Sequence, residues 1–220
     1  MLAEFPENYS VLLSGPPGVG KFEFCLDKVK GWLKNGERVL YLTTERSPEE
    51  IKSTAEKFGL DIEEYKNKTL FFVDCHSWSW SMGTRLAEGD GTIKAPNIMD
   101  INIALEKAIK NMECPIRIVF DSLSPLLLYI DVPSMKKFFH FMTSKTKSEY
   151  GFIIYTLQEG VHDPNIRNSL SELVDSFLEM QYDEEAGGFG RRLRVHHSKD
   201  APPDTSWKKF RIGETGLEMV

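Results

Sequence analysis

The feature that most constrains this chain is an apolar stretch that runs into a glycine-rich turn and ends in lysine, Val11-Leu12-Leu13-Ser14-Gly15-Pro16-Pro17-Gly18-Val19-Gly20-Lys21. The spacing G-x-x-x-x-G-K is typical of a loop between a buried strand and a helix. Glycines let the backbone turn tightly and bring its N–H groups against phosphate oxygens, while the lysine reaches the outer phosphates. A turn that holds three glycines without binding phosphate is the alternative. The pattern predicts a nucleoside triphosphate site made of Gly15, Pro16, Pro17, Gly18, Val19, Gly20, Lys21 and Phe22.

One residue of this stretch departs from the usual pattern. The position after the lysine is commonly Ser or Thr, whose hydroxyl binds magnesium, and in this chain it is Phe22. Phe22 begins an apolar stripe at helical spacing that continues through Cys25, Leu26 and Val29. The sequence therefore predicts nucleotide binding and leaves hydrolysis open.

Composition narrows the function classes. At 220 residues the chain can bury one sizeable α/β core, so we expect one ATP-binding domain over residues 1–220. The formal net charge of −6 disfavours a protein that coats nucleic acid. Cys25, Cys75 and Cys114 lack C-x-x-C spacing, which indicates core thiols rather than a disulfide framework or a zinc site. The acidic balance suits a cytoplasmic protein, and the longest apolar run is too short to span a bilayer, so no membrane anchoring is expected.

Strand and helix patterns alternate after the loop. A strand at 38–43 leads to Thr44-Glu45-Arg46, and Ser47-Pro48-Glu49-Glu50 has the form of a capping box that begins a helix. Glu45 is thus expected in a strand-to-helix turn, where open α/β sheets bind ligands. Further strands are predicted at 70–73, 116–120 and 152–156, and short antiparallel strands on the sheet edge at 177–182, 191–197 and 207–212.

Two strand ends carry further candidate site residues. The strand at 116–120 ends in Asp121, a Walker B pattern that places a carboxylate beside the phosphate loop to hold magnesium, often through water. Gln158 follows the strand at 152–156, where a glutamine of P-loop enzymes senses the γ-phosphate or orients water. An ordinary polar loop residue is the alternative for Gln158. We take Asp121 as a metal-site candidate and Gln158 as a catalytic candidate.

The region from 76 to 96 has little periodicity and contains Trp78 and Trp80. Long irregular loops are usually functional or disordered. These two tryptophans either contact a neighbouring subunit or partner, or cover an edge of the core.

Taken together, the phosphate loop, the segment Leu42-Thr43-Thr44-Glu45 with Ser47-Pro48, and Val119-Phe120-Asp121-Ser122-Leu123 resemble the KaiC-like branch of the RecA superfamily, especially its single-domain archaeal members. The resemblance implies an α/β, three-layer RecA-like P-loop NTPase fold with a central, mostly parallel sheet flanked by helices and with C-terminal antiparallel strands. It also implies ATP and magnesium as cofactors and Glu45 as the carboxylate that polarises the attacking water. Members often form a homo-oligomeric ring with ATP between neighbouring subunits.

Departures from the family pattern qualify what the resemblance implies. KaiC-like proteins often have two adjacent glutamates where this chain has Glu45-Arg46. The family's C-terminal hairpin carries a lysine and an arginine that reach the neighbouring subunit's ATP, and counting back from Phe210 places these positions on His197 and Lys199. One of the two cations is kept, and the other position holds a titratable histidine.

The function expected from these features is that of an ATP-binding protein and slow ATPase that acts as a signalling or assembly switch. It would self-associate, work with an unidentified protein partner and have no membrane span. One alternative is a nucleotide-binding regulator without turnover. The other is a recombinase-like DNA-binding ATPase, which the negative charge disfavours.

Overall fold

The computed structural model describes residues 5–76, 93–94, 98–110, 112–183, 190–200 and 204–220, with the backbone alone at 93–94 and 98–99. Trp78 and Trp80 lie outside the described residues. The strands are β1 (Ser10–Gly15), β2 (Arg38–Thr43), β3 (Leu70–Asp74), β4 (Ile93–Lys94), β5 (Ile116–Asp121), β6 (Gly151–Gln158), β7 (Ser176–Asp183), β8 (Gly190–Ser198), β9 (Lys208–Gly213) and β10 (Gly216–Met219). The helices are α1 (Lys21–Lys34), α2 (Pro48–Lys57), α3 (Ile62–Tyr65), α4 (Ile98–Ile109), α5 (Val132–Lys145) and α6 (Pro164–Ser171), and a 3₁₀ turn covers Leu126–Leu128.

Within the described residues the strands form one ten-stranded sheet in the order β10-β9-β8-β7-β1-β6-β5-β2-β3-β4. Pairing is parallel from β7 to β4 and antiparallel from β7 to β10. Strands linked by helices pair in parallel, because each helix carries the chain back to the end of the sheet at which the preceding strand began. The α/β class and the mostly parallel sheet with C-terminal antiparallel strands are confirmed.

Helices cover both faces of the sheet, which gives the predicted three layers. Leu12 of β1 belongs to a core cluster with residues of α4, α5 and α6, such as Ile101 and Phe139. Its neighbours Val11 and Leu13 belong to the opposite cluster, with residues of α1 and α2. Successive strand residues point to opposite faces, so one buried strand contributes to both cores.

Several boundaries differ from the sequence predictions. Gln158 is the last residue of β6 and not a residue beyond the strand. Strand β7 is not an edge ribbon, because it pairs in parallel with the central strand β1 as well as antiparallel with β8. Cys114 is exposed and is not a core thiol, whereas Cys25 and Cys75 are buried. None of the helices in the described ranges is long and apolar enough to cross a membrane.

Candidate functional site

The carboxyl ends of four neighbouring strands carry the predicted site residues to one edge of the sheet. Strand β1 ends in the glycine-rich loop, and its last residue Gly15 lies opposite Gln158 of β6. Thr43 at the end of β2 lies opposite Asp121 of β5, and Glu45 follows two residues later. The sheet order β1-β6-β5-β2 thus brings together residues that are far apart in the sequence.

The loop backbone has the geometry that requires glycine. Gly20 has φ 113°, and a Cβ there would lie 3.0 Å from a side-chain carbon of Ile212. At Gly15 a Cβ would lie 2.7 Å from the Met180 carbonyl oxygen. No side-chain hydrogen bond caps α1 at Gly20, so the first-turn N–H groups of the helix remain available to an anion, as at other helix N-termini that bind phosphate.

Lys21 is folded back onto the loop. Its Nζ donates to the carbonyl oxygens of Gly15 at 2.7 Å and of Pro16 at 2.9 Å. Burial lowers the pKa of this ammonium, against the opposing attraction of the Glu45 and Asp121 carboxylates. An ammonium has three N–H donors, so Lys21 can add a contact to a phosphate oxygen while it holds the loop.

Glu45 and Gln158, the two predicted catalytic residues, are in direct contact. The Gln158 amide Nε2 donates to Glu45 Oε1 at 2.6 Å, and the Gln158 backbone N–H donates to the Ser124 hydroxyl at 2.8 Å. Burial, together with the nearby Asp121 charge, raises the pKa of Glu45. Gln158 therefore fixes the orientation of a carboxylate whose affinity for a proton is increased.

Asp121 is almost fully buried at the end of β5 and is held by two hydroxyl groups. The Thr156 hydroxyl donates to Oδ1 at 2.6 Å, and the Tyr41 hydroxyl donates to Oδ2 at 2.9 Å. Neither donor was predicted from the sequence, because each lies in the interior of a strand whose pattern indicates core. Their position two residues before a strand end beside the loop is the signal that could have identified them.

Arg46 and Phe22 meet next to Asp121. The guanidinium carbon of Arg46 lies 4.0 Å from the centroid of the Phe22 ring, a separation at which a cation is attracted to an aromatic face. Arg46 Nη1 lies 3.7 Å from Asp121 Oδ2 and 3.8 Å from Glu45 Oε2. The Phe22 ring itself is buried in the core cluster on the α1 side of the sheet.

Two adjacent cavities open at this edge. The first has a volume of ≈ 230 Å³, and its lining residues are Pro17, Gly18, Gly20, Lys21, Phe22, Glu23, Glu45, Arg46, Asp121 and Gln158. The second has a volume of ≈ 490 Å³, and its lining includes Glu45 and Gln158 together with Leu128 and Val161. The Glu45–Gln158 pair is therefore shared between a polar cavity at the loop and a more apolar one. Of the loop residues, Val19 is buried in the core and Pro16 supplies its carbonyl to Lys21.

The residues present do not fit a magnesium ion bound in the usual way. Magnesium takes oxygen ligands at about 2.0–2.1 Å in octahedral geometry, and Phe22 has no side-chain oxygen. Asp121 Oδ2 lies 3.7 Å from Arg46 Nη1, so a metal ion held by Asp121, directly or through water, would lie close to a guanidinium that repels it.

His197 and Lys199, the predicted trans-acting residues, lie at the opposite end of the sheet from the loop of their own chain. His197 pairs with Phe177 of β7, next to the residue that pairs with Val11 at the start of β1. Lys199 follows β8, and its Nζ donates to Asp175 Oδ1 at 3.0 Å. Neither residue can contact a nucleotide at Lys21 of the same chain, so their contact with a neighbour's nucleotide stays a prediction.

Comparison with known proteins agrees with this geometry. A family model described as "ATPase: KaiC" matches residues 3–220. A UPF0273 protein of Methanopyrus kandleri is 25% identical over 217 residues, which make up 97% of this chain and 84% of that protein. A circadian clock oscillator protein KaiC of Thermosynechococcus vestitus is 26% identical over 218 residues, which are 98% of this chain but 39% of that protein. The solved structure of a KaiC-like protein from Pyrococcus horikoshii matches with a TM-score of 0.79 at 18% identity, covering 98% of this chain and 91% of that one, and shows the same fold.

Proposed function

This chain belongs to the KaiC family of ATPases, within the RecA superfamily of P-loop proteins, and we propose that it binds ATP at Gly15–Lys21 and hydrolyses it slowly. The observation that carries the proposal is the convergence of Lys21, Glu45, Asp121 and Gln158 on one cavity beside an uncapped helix N-terminus. Backbone N–H groups at a helix N-terminus and a buried cation bind a highly charged anion such as a triphosphate.

The hydrolytic step would depend on Glu45. A water held by the Glu45 carboxylate can be polarised and oriented toward the γ-phosphate, which is one of the tasks of protein groups in phosphoryl transfer. The hydrogen bond from Gln158 restricts the carboxylate to one orientation. Turnover would be slow because Phe22 replaces the usual hydroxyl, and because the Arg46 guanidinium offsets part of the rise in the pKa of Glu45.

A regulator that binds ATP without turnover is the second candidate, and the Phe22–Arg46 contact favours it. In both cases we propose one domain over residues 1–220, a nucleotide-dependent switch in self-association or in binding to a protein partner, and no role in binding nucleic acid. The cytoplasmic location expected from the sequence stays a prediction. Magnesium, the second cofactor expected from the resemblance, also stays a prediction, and the site residues argue against its usual mode of binding.

ATP binding is tested by the substitution Lys21→Ala. We expect ATP affinity measured by calorimetry to fall by about 1.5–3 kcal/mol, the scale of a hydrogen bond to a charged group, which is roughly 10- to 150-fold in Kd. Lys34→Ala is the matched control, because Lys34 is an exposed lysine in the last turn of the same helix. Equal ATP affinities for wild type and Lys21→Ala would show that the loop is not a phosphate site.

Turnover is tested by comparing phosphate release from wild type and Glu45→Gln, with Mg²⁺ and with EDTA. The variant keeps an oxygen that can accept the Gln158 hydrogen bond, so ATP binding should persist while hydrolysis is lost. If wild type releases phosphate no faster than Glu45→Gln in either buffer, the regulator without turnover is the correct function.

A further inference from the structure

In this chain the Arg46 guanidinium lies where related phosphate loops place a metal ion. The residue after the loop lysine normally supplies a hydroxyl to magnesium, and the Walker B carboxylate supports that ion from the other side. In this chain Arg46 lies over the Phe22 ring at 4.0 Å and has Nη1 at 3.7 Å from Asp121 Oδ2. One guanidinium therefore contacts both of the side chains that stand at the metal-flanking positions.

Both members of this pair are fixed by the fold. Phe22 is buried in the first turn of α1, with 5% of its surface exposed. The Arg46 backbone is held in the turn after β2, because the hydroxyl of Thr43, the last residue of β2, donates to the Arg46 carbonyl at 2.6 Å and accepts from the Arg46 N–H at 3.3 Å. The ring gives the guanidinium a flat surface on which to rest. A preorganised cation loses less conformational freedom when it binds a ligand.

The guanidinium also keeps donors for a ligand. Its distances to Asp121 and Glu45, 3.7 and 3.8 Å, are longer than those of an N–H···O hydrogen bond. Arginine has five N–H donors in a planar fork that matches phosphate oxygens. Arg46 lines the same ≈ 230 Å³ cavity as Lys21, so phosphates bound by the loop would meet both cations.

We propose that this site binds the metal-free nucleoside triphosphate, with the Arg46 guanidinium neutralising phosphate oxygens where related sites use magnesium. The inference rests on the proposed ATP binding and adds the form in which the nucleotide is bound. A divalent cation beside Asp121 would lie close to the guanidinium and be repelled by it. Phe22 and Arg46 thus act as one unit, since the ring that removes the metal ligand also supports the replacement cation.

The test is calorimetric titration with ATP of the full chain in EDTA and in excess MgCl₂. For wild type we expect the two Kd values to agree within about threefold, because the cation that neutralises the phosphates belongs to the protein. Arg46→Met should weaken binding in EDTA by at least about tenfold, the scale of one lost charge-assisted contact. Arg38→Met is the matched control, because Arg38 is a partly exposed arginine at the start of β2, the strand that precedes Arg46, and it pairs with Glu113.

A double variant tests the unit as a whole. Phe22→Thr with Arg46→Glu supplies a hydroxyl and a second carboxylate, so we expect binding that is at least about tenfold weaker in EDTA than in MgCl₂. Circular dichroism establishes whether each variant is folded. If a variant does not fold, the wild-type titrations in EDTA and in MgCl₂ still decide whether ATP binds without a metal ion. Wild-type binding that requires Mg²⁺ would overturn metal-free binding and leave ATP binding standing. Absence of ATP binding in both buffers would overturn the proposed function and this inference together.

Discussion

At the scale of single residues, the candidate site is a balance between burial and charge. Glu45 is largely buried next to Asp121, and both effects raise its pKa above its ordinary value of 4.5, whereas Arg46 and the Gln158 hydrogen bond oppose the shift. A carboxyl group with a raised pKa binds a proton more tightly in the folded than in the unfolded chain. The folded state is therefore favoured at low pH, and this contribution is lost as the pH rises from 4.5 through the raised pKa.

The direction of this pKa shift predicts how Glu45→Gln changes the melting temperature. At pH 7 the amide removes a carboxylate that is costly to keep ionised at this place, so we expect a higher melting temperature than for wild type. The difference should shrink as the pH approaches 4.5, because the wild-type side chain then becomes neutral as well. Thermal unfolding followed by circular dichroism at several pH values measures this, with the exposed Glu56→Gln as control. A lower melting temperature at pH 7 would show that attraction to Arg46 outweighs the cost of burial.

The sequence predicted which residues lie at the site, but it did not predict the contact between Phe22 and Arg46. The spacing of the loop and the strand ends was enough to select Lys21, Glu45, Asp121 and Gln158, because parallel strands place their carboxyl ends at one edge. In the sequence, Phe22 and Arg46 are two separate differences from the family pattern. Their contact depends on the course of β2 beside α1 and on two side-chain conformations, which no local pattern encodes.

At the scale of elements, the turn that carries Glu45 and Arg46 is fixed by the helix that follows it. The Ser47 hydroxyl accepts from the Glu50 N–H at 3.2 Å, and the Glu50 carboxylate accepts from the Ser47 N–H at 2.8 Å. Pro48 begins α2 with its φ already suited to a helix. The capping box predicted from the sequence is confirmed, and it sets the point at which the chain leaves the site.

We expect Ser47→Ala to lower the free energy of unfolding by about 1 kcal/mol, the usual cost of removing an N-cap side chain. Denaturant unfolding measures the loss. Ser53→Ala in the same helix is the control, because Ser53 is exposed and alanine has the higher helix propensity, so this change should be neutral or slightly stabilising. Equal effects of the two substitutions would show that the capping box does not stabilise the turn.

Short elements were the part of the fold that the sequence did not predict. Helices α3 and α6 and strands β4 and β10 contain between two and eight residues. Isolated helices and strands of that length are unstable in water, so contacts with the rest of the fold decide whether they form. Asp163 and Pro164 at the start of α6 do carry a start signal, since the Asp163 carboxylate accepts from the Asn165 N–H at 2.8 Å.

At the scale of the whole molecule, the candidate site and the predicted trans-acting residues lie at opposite ends of the strands, because β8 runs antiparallel to β7 and ends beside the start of β1. Lys199 shares Asp175 with Lys147, whose Nζ lies 2.6 Å from the same Oδ1 oxygen. Burial of Asp175 opposes its ionisation, but hydrogen bonds from Lys147, Ser10 and Lys199 hold its pKa below the usual range. Asp175 thus keeps a cation and a hydroxyl if Lys199 moves away, and the Lys199 side chain is 56% exposed. The fold therefore leaves this ammonium able to bind a group on another subunit.

The last prediction is that ATP promotes self-association and that Lys199 is needed for it. A cation given to a neighbour's phosphates completes its contacts only when nucleotide and neighbour are both present, so each favours binding of the other. Light scattering of wild type at high micromolar concentration should show a larger mass with ATP than without it. Lys199→Ala should remove this increase while ATP still binds, and Lys147→Ala should retain it, although it removes the other cation from Asp175. An unchanged wild-type mass with saturating ATP would contradict the trans contact, because all protein contacts of the nucleotide would then come from one chain.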